Sequence, residues 1–221
     1  MKASRTFGNQ DGFTLVEIAI VLVIIGLLLG GVFKGQELIE SSRAKGAARD
    51  MEGVSTAHHS YLDRYRRLAG DDGPLAALQG RGGAWAQIGE AGDGNGILAV
   101  GNDQTFSGGG EGAAFWQHLR AAGFLNGNPV DGGAAALPRN AFGGLVGVSS
   151  AGVTGMPVGT KVCMSQVPGK IAQAMDAQLD DGSASAGAVR ATLGAAGVNT
   201  APGEAATGYS EESLYTLCRM L

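Results

Sequence analysis

Gly12-Phe13-Thr14-Leu15-Val16-Glu17 opens an apolar run that continues to Phe33. From Phe13 to Phe33 the only ionisable side chain is Glu17. At ~1.5 Å per residue, these roughly 21 positions make a helix of about 30 Å, the thickness of one bilayer core. A buried helix of a soluble protein seldom stays apolar on every face for so long. A cleaved secretory signal has a shorter apolar core and a small-residue cleavage site after it. Neither pattern is present: beyond Phe33 the chain reads Lys34-Gly35-Gln36-Glu37-Leu38-Ile39-Glu40. The run is therefore read as a membrane-spanning helix. Lys2 and Arg5 ahead of it place the N-terminus in the cytoplasm and everything after Phe33 on the far side.

A carboxylate at the fifth position of such a helix is costly, of order 2.5 to 3.5 kcal/mol near the bilayer centre and less near an interface. Gly12-Phe13-Thr14-Leu15-Val16-Glu17 followed by an apolar run resembles the processing and methylation motif of type IV prepilins and type II secretion pseudopilins. The resemblance implies that a prepilin peptidase cuts between Gly12 and Phe13 and N-methylates Phe13. It also implies that Glu17 meets the terminal amine of a neighbouring subunit during assembly. Asp11 stands where many family leaders carry a basic or neutral residue.

The family likeness sets the expected organisation: residues 1–12 a cleaved leader, 13–33 a transmembrane and filament-core helix, and 34–221 a periplasmic or extracellular head. The expected fold is α+β and type IV pilin-like. A long N-terminal helix, transmembrane in its first half, packs on an antiparallel sheet with short extra helices and a disulfide-closed C-terminal region. The expected function is a structural subunit of a type IV pilus or pseudopilus. Its partners would be prepilin peptidase, further pilin subunits and an inner-membrane assembly platform. Alternatives are a minor pilin or pseudopilin that primes assembly, and a membrane-tethered periplasmic binding protein or enzyme.

Composition agrees with one head and one anchor. The 221 residues are 44% hydrophobic and 16% charged, compatible with a packed core. The 39 glycines point to a loop-rich head. Net charge is −4, and removal of Lys2, Arg5 and Asp11 with the leader leaves −5, a balance that does not indicate nucleic-acid binding.

Past the membrane run, Ala44, Ala47, Met51, Val54, His58, Tyr61, Tyr65 and Leu68 recur at three- and four-residue steps. That spacing predicts one continuous helix from about Phe13 to about Leu68, stopped by Gly70-Asp71-Asp72-Gly73-Pro74. Lys34 occupies the place where many pilins carry a helix-bending proline, so softening is expected at Gly30-Gly31 or Gly35. His58 and His59 point about 100° apart on a helix and cannot chelate one ion together. His58 is expected at the core edge and His59 in solvent.

Leu75 to Gly110 reads as a loop with one short strand. Within it, Asp93 and Asn95 in Gly92-Asp93-Gly94-Asn95-Gly96-Ile97 resemble the first half of a calcium loop without the bidentate glutamate that completes an EF-hand. Tight turns use the same residues. Calcium at Asp93 and Asn95 is thus an alternative to a chain without cofactor. Glu111 to Ala122 reads as a helix presenting Phe115, Trp116, Leu119 and Ala122, with Trp116 packed on the long helix. Strands are expected at Phe142–Val148 and Val158–Met164, a helix at Lys170–Leu179, and further elements at Val189–Leu193 and Ser213–Leu221.

Asp176, Asp180 and Asp181 gather where that last helix ends, the unfavourable end for negative charge. A cation or a donor-rich partner would relieve them, as would solvent. The two cysteines, Cys163 and Cys218, lie outside the cytoplasm under this topology and read as one disulfide closing a loop of about 55 residues, worth roughly 4 kcal/mol. No Ser/His/Asp, paired-carboxylate or complete metal constellation emerges, so enzymatic activity is not expected.

Overall fold

The computed structural model describes residues 14–221; Gly12 and Phe13, the two processing residues, lie outside the described residues. The chain divides into two compact units between Glu40 and Ser41. Helix α1 (Leu15–Tyr65) begins in the first and ends in the second. It passes through Gly30, Gly31 and Gly35 without interruption, so none of the three breaks the hydrogen-bond ladder.

Within the second unit, the buried residues of α1 are Ala44, Ala47, Ala48, Met51, Val54, Ala57, His58 and Tyr61. Their spacing puts them on one face, and the small alanines let neighbouring elements approach closely. The helix ends three residues earlier than its apolar stripe suggests, because Arg66 takes a left-handed φ of 56°. The reversal is held from inside. Tyr61 donates its hydroxyl to Asp72 Oδ2 at 2.8 Å, and Arg81 donates to the same oxygen at 2.9 Å. The Arg81 guanidinium also lies 4.7 Å from the Tyr65 ring centre and 4.6 Å from that of Trp85. Gly70, at φ 93°, has no room for a side chain beside Leu98, Glu111 and Phe115, and its N–H donates to His118 Nδ1 at 3.1 Å.

The segment Leu75 to Gly110 contains no strand. It holds α2 (Leu75–Gln79) and two short 3-10 turns, Gly83–Gln87 and Asn102–Gln104. Leu78, Trp85, Ile88, Leu98 and Val100 each enter the core singly, so no alternation of buried and exposed residues supports a ladder. Helix α3 (Glu111–Ala121) is buried from Gly112 to Leu119, not on one side only. Two of its buried side chains are polar and hold glycine-rich loops. Gln117 Oε1 accepts the N–H groups of Gly89 and Glu90, and its amide donates to Asp131 O. Phe115 of α3 stacks on His58 of α1, with ring centres 5.7 Å apart, and His59 is exposed. Trp116 shares a cleft wall with Gly53 and Val54 of α1.

Four antiparallel strands follow: β1 (Val146–Ser149), β2 (Lys161–Pro168), β3 (Val189–Gly194) and β4 (Leu214–Met220), ordered β1-β2-β4-β3. Strand β1 starts later than expected because Asn140 Oδ1 captures the N–H groups of Phe142 and Gly144 in a turn. Strand β2 also starts later. Val158, 94% exposed, belongs to the β1–β2 loop, which Lys161 closes by donating its Nζ to Ser150 O and Gly159 O at 2.8 and 2.9 Å.

Period-two alternation separates the faces of the sheet. Val146, Val148, Val162, Met164, Val189, Ala191, Tyr215 and Leu217 join the α1 and α3 residues in one apolar core. Cys163 and Cys218 point the other way, among Val153, Phe106, Met156 and Ala205. The two cysteines are directly paired in the β2–β4 register and form the disulfide, with Cα atoms 4.1 Å apart.

Helix α4 (Gly169–Leu179) covers the sheet through Ile171, Ala172 and Met175 and ends at the acidic trio. The donors that relieve these acids come from the chain itself. Asp176, fully buried, accepts from the Tyr209 hydroxyl at 2.6 Å and from Gly182 N at 3.2 Å. Asp180 accepts from Ala188 N and Val189 N, and Asp181 from Ser183 N. Burial still pushes the Asp176 carboxyl up, to about 6, against the lowering effect of those hydrogen bonds.

A folded pKa raised above the unfolded value means that Asp176 favours the folded state most when protonated. Its contribution therefore grows as pH falls from 7 through about 6 towards 4. His58 and His118, both lowered to about 4 by burial, act in the opposite sense over pH 6.5 to 4, so the effect is read as a difference. Relative to Asp176→Asn, the wild-type head should gain about 2 to 3 kcal/mol between pH 7 and pH 4. Chemical denaturation of both proteins in detergent measures it. A difference that stays constant across that range refutes the assignment.

Candidate functional site

The N-terminal turn of α1 is built by two side chains of the motif. Thr14, the residue before the helix, donates its backbone N–H and its hydroxyl to Glu17 Oε2 at 2.9 and 2.8 Å. Glu17 N–H returns a bond to Thr14 Oγ1 at 3.2 Å. This reciprocal arrangement is a capping box, which satisfies donors that a helix start otherwise leaves open. In a membrane helix such donors have no water to turn to. Thr-x-x-Glu ahead of an apolar run is the sequence signature of the box, a signal that the sequence reading missed in giving Glu17 only an assembly role.

Beyond Glu17, every large apolar side chain from Leu15 to Phe33 is exposed, from Ile25 at 46% to Leu15 at 91%. Among the described residues, α1 is the one helix long and apolar enough to cross a membrane. Gly26 and Gly30 lie one turn apart on it, and an added Cβ at either would meet nothing within 4 Å. That spacing permits close approach of a second helix. Lys34 and Glu37 form an ion pair at 2.7 Å just past the apolar run, where polar groups resume.

Asp93 and Asn95 bond to each other and to the backbone of their own turn. Asn95 donates its backbone N–H and its side-chain amide to the Asp93 carboxylate at 3.0 and 2.8 Å, and its own Oδ1 accepts from Ile97 N. The residues brought close to Asp93 are Asp71, from the turn after α1, and Glu111, at the start of α3. Sequence spacing did not reveal this trio, because its members come from three separate segments. Each carboxylate already accepts backbone donors. Asp71 takes Asn95 N and Gly96 N at 3.0 and 2.8 Å; Glu111 takes Asp93 N and Ala99 N at 3.4 and 2.5 Å. Burial nonetheless raises the Glu111 pKa.

The trio thus fastens the Gly92–Gly96 turn to the end of α1 and the start of α3. Asp71 is 1% exposed, and its removal takes a charged acceptor from two part-buried amides, leaving Asn95 N with Asp93 alone and Gly96 N without its carboxylate. Asp71→Ala should lower the stability of the head by about 2 to 4 kcal/mol, and hydrogen exchange should quicken first at Asn95 and Gly96. Unchanged protection at those two amides would contradict the role given to Asp71.

Among the described residues, the hydrogen bonds pair no Ser, Thr or Cys side chain with a histidine ring. Cys163 and Cys218 are both consumed by the disulfide. The feature that concentrates function is the start of α1. The family model for the prokaryotic N-terminal methylation motif matches residues 8–33, a span that includes Gly12, Phe13 and Glu17 and ends with the apolar run at Phe33. No curated protein and no solved structure matches the chain significantly. The matched span, 26 of the 221 residues, carries the signature of the type IV prepilins and pseudopilins.

Proposed function

We propose that this chain is a structural subunit of a type IV pilus or a pseudopilus. The observation that carries the reading is the methylation motif running directly into a helix whose large apolar side chains, Leu15 to Phe33, are all exposed. Such a surface is stable in lipid or against other helices of the same kind. Prepilin peptidase cuts after Gly12 and methylates Phe13. The helix first anchors the subunit in the inner membrane, with the head on the periplasmic side, and then enters the core of the filament through the assembly platform.

In that core, the Glu17 carboxylate meets the α-amino group of Phe13 from a neighbouring subunit. Their attraction in a low-dielectric medium selects the register in which one helix is offset along the axis from the next. Thr14 pre-positions the carboxylate through the capping box. The chain works in this role without a cofactor and without catalytic residues.

Two measurements test the proposal. Coexpression with a prepilin peptidase should give an intact mass lacking Met1–Gly12 and carrying one methyl group on Phe13; a terminus after Phe33 would remove the pilin reading. The second compares Glu17→Val with Glu17→Gln, which removes the charge but keeps an acceptor for Thr14. Both should insert and be cleaved. Both should fall about tenfold or more in sheared filament fractions, since either leaves the terminal amine buried and unpaired. Normal incorporation of the Gln variant with loss of the Val variant would reduce Glu17 to a helix cap. Normal incorporation of both would point to a membrane-tethered protein outside any filament.

A further inference from the structure

The head carries a cleft of about 360 Å³ whose wall includes Arg49 and Asp50 of α1, Trp116 and Arg120 of α3, and Arg139 just before β1. Three guanidinium groups face one carboxylate there. None of the three arginines forms an ion pair among the described residues. Arg120 is the most confined: Gly127 packs against its guanidinium, and its Nε and one terminal nitrogen are buried without an acceptor among the described residues. Burial lowers its pKa, partly offset by the attraction of the Asp131 carboxylate, which forms no ion pair with it. Trp116 is fully buried, and its indole Nε1 also lacks an acceptor among the described residues.

Buried donors without acceptors are rare in folded proteins, and three of them on two adjacent turns of α3 need a shared explanation. Chemistry narrows it. Guanidinium and indole N–H groups are donors only, so the missing group is an acceptor. The lining arginines less Asp50 give about +2, reduced by the nearby Asp131 but still positive, so the missing acceptor is an anion, and the −1.5 to −2 of a phosphate group at neutral pH suits it. Guanidinium also matches phosphate geometry through paired N–H bonds. A cleft of about 360 Å³ is at the small end of ligand pockets, and it leaves room for a small substituent on the anion.

We propose that this cleft binds a phosphate group, with the Arg120 guanidinium and the Trp116 indole N–H as buried donors and Arg49 and Arg139 as further cations of its lining. The site is distinct from the N-terminal helix, and the proposal stands whether or not the chain polymerises. Free phosphate and a phosphate ester present the same chemistry to it, and the test separates them.

The experiment uses the full-length chain in neutral detergent with ¹⁵N-labelled tryptophan, followed through its two indole signals. Trp85→Phe identifies which belongs to Trp116. Inorganic phosphate, added at constant ionic strength against chloride, should move the Trp116 signal saturably with a Kd of about 1 mM or tighter, and leave that of Trp85 in place. Glycerol phosphate should bind at least as well; tighter binding assigns the ester, equal binding the free ion. Arg120→Met should weaken phosphate binding about tenfold or more while leaving the thermal midpoint in phosphate-free buffer at or above the wild-type value, since it removes an uncompensated buried charge. Should that variant fail to fold, Arg139→Gln, at an exposed position, should weaken binding about threefold or more. Asp50→Asn should tighten it. A Trp116 signal that ignores phosphate, that moves equally with chloride, or that saturates unchanged in the folded arginine variants overturns the proposal.

Discussion

A helix that enters hydrocarbon has to satisfy its own first N–H groups, and Thr14 and Glu17 do this for each other. Everything downstream in the first unit depends on that closure. With its start capped, α1 runs through its glycines and leaves the whole surface from Leu15 to Phe33 to lipid or to other helices. In the proposed filament the same carboxylate thus has a local partner before it meets a distant one. An assembly contact built from it begins with the side chain already placed, which lowers the entropy lost on association.

The second unit solves a different problem, the ordering of a glycine-rich chain with few long elements. Buried polar side chains supply much of the answer. Gln117 and His118 on α3, Asn140 before β1 and Asn102 near the β1–β2 loop each bind backbone groups of segments distant in sequence. Lys161 and Asp176 add a cation and a carboxyl inside the fold, the first bonded to Ser150 O and Gly159 O and the second to the Tyr209 hydroxyl. Such groups give the loops definite positions because an unmade bond in the interior is costly, whereas apolar contacts alone would leave glycine turns several near-equal arrangements.

This division explains how much was legible in the sequence. Periodicity revealed α1, α3, α4 and the β3 and β4 segments, because each presents apolar residues at helical or alternating spacing to a single core. The cysteines could be paired because the count was even and the compartment expected from the topology is oxidising. What escaped was set by contacts between distant segments. Asp71 and Glu111 meet Asp93 only after the chain has folded around them. The true start of β1 depends on which N–H groups Asn140 captures, and that of β2 on where Lys161 finds carbonyls. The end of α1 follows from a tyrosine reaching an aspartate eleven positions later. None of these has a local pattern. The donors around Trp116 and Arg120 escaped for the same reason, since tryptophan on a helix reads as core until its N–H is traced.

The cross-strand bond between Cys163 and Cys218 carries one further consequence. It joins the two central strands of the sheet, and the intervening chain contains α4 and β3. Tension applied anywhere between the two cysteines is passed to β2 and β4 at one covalent point, so α4 and β3 can be peeled away without unravelling the strands on either side of that point. A nick in the same stretch likewise leaves both fragments attached. The stretch that holds α4 and β3 can therefore be damaged or pulled open, and the polypeptide on either side of it stays joined at the disulfide.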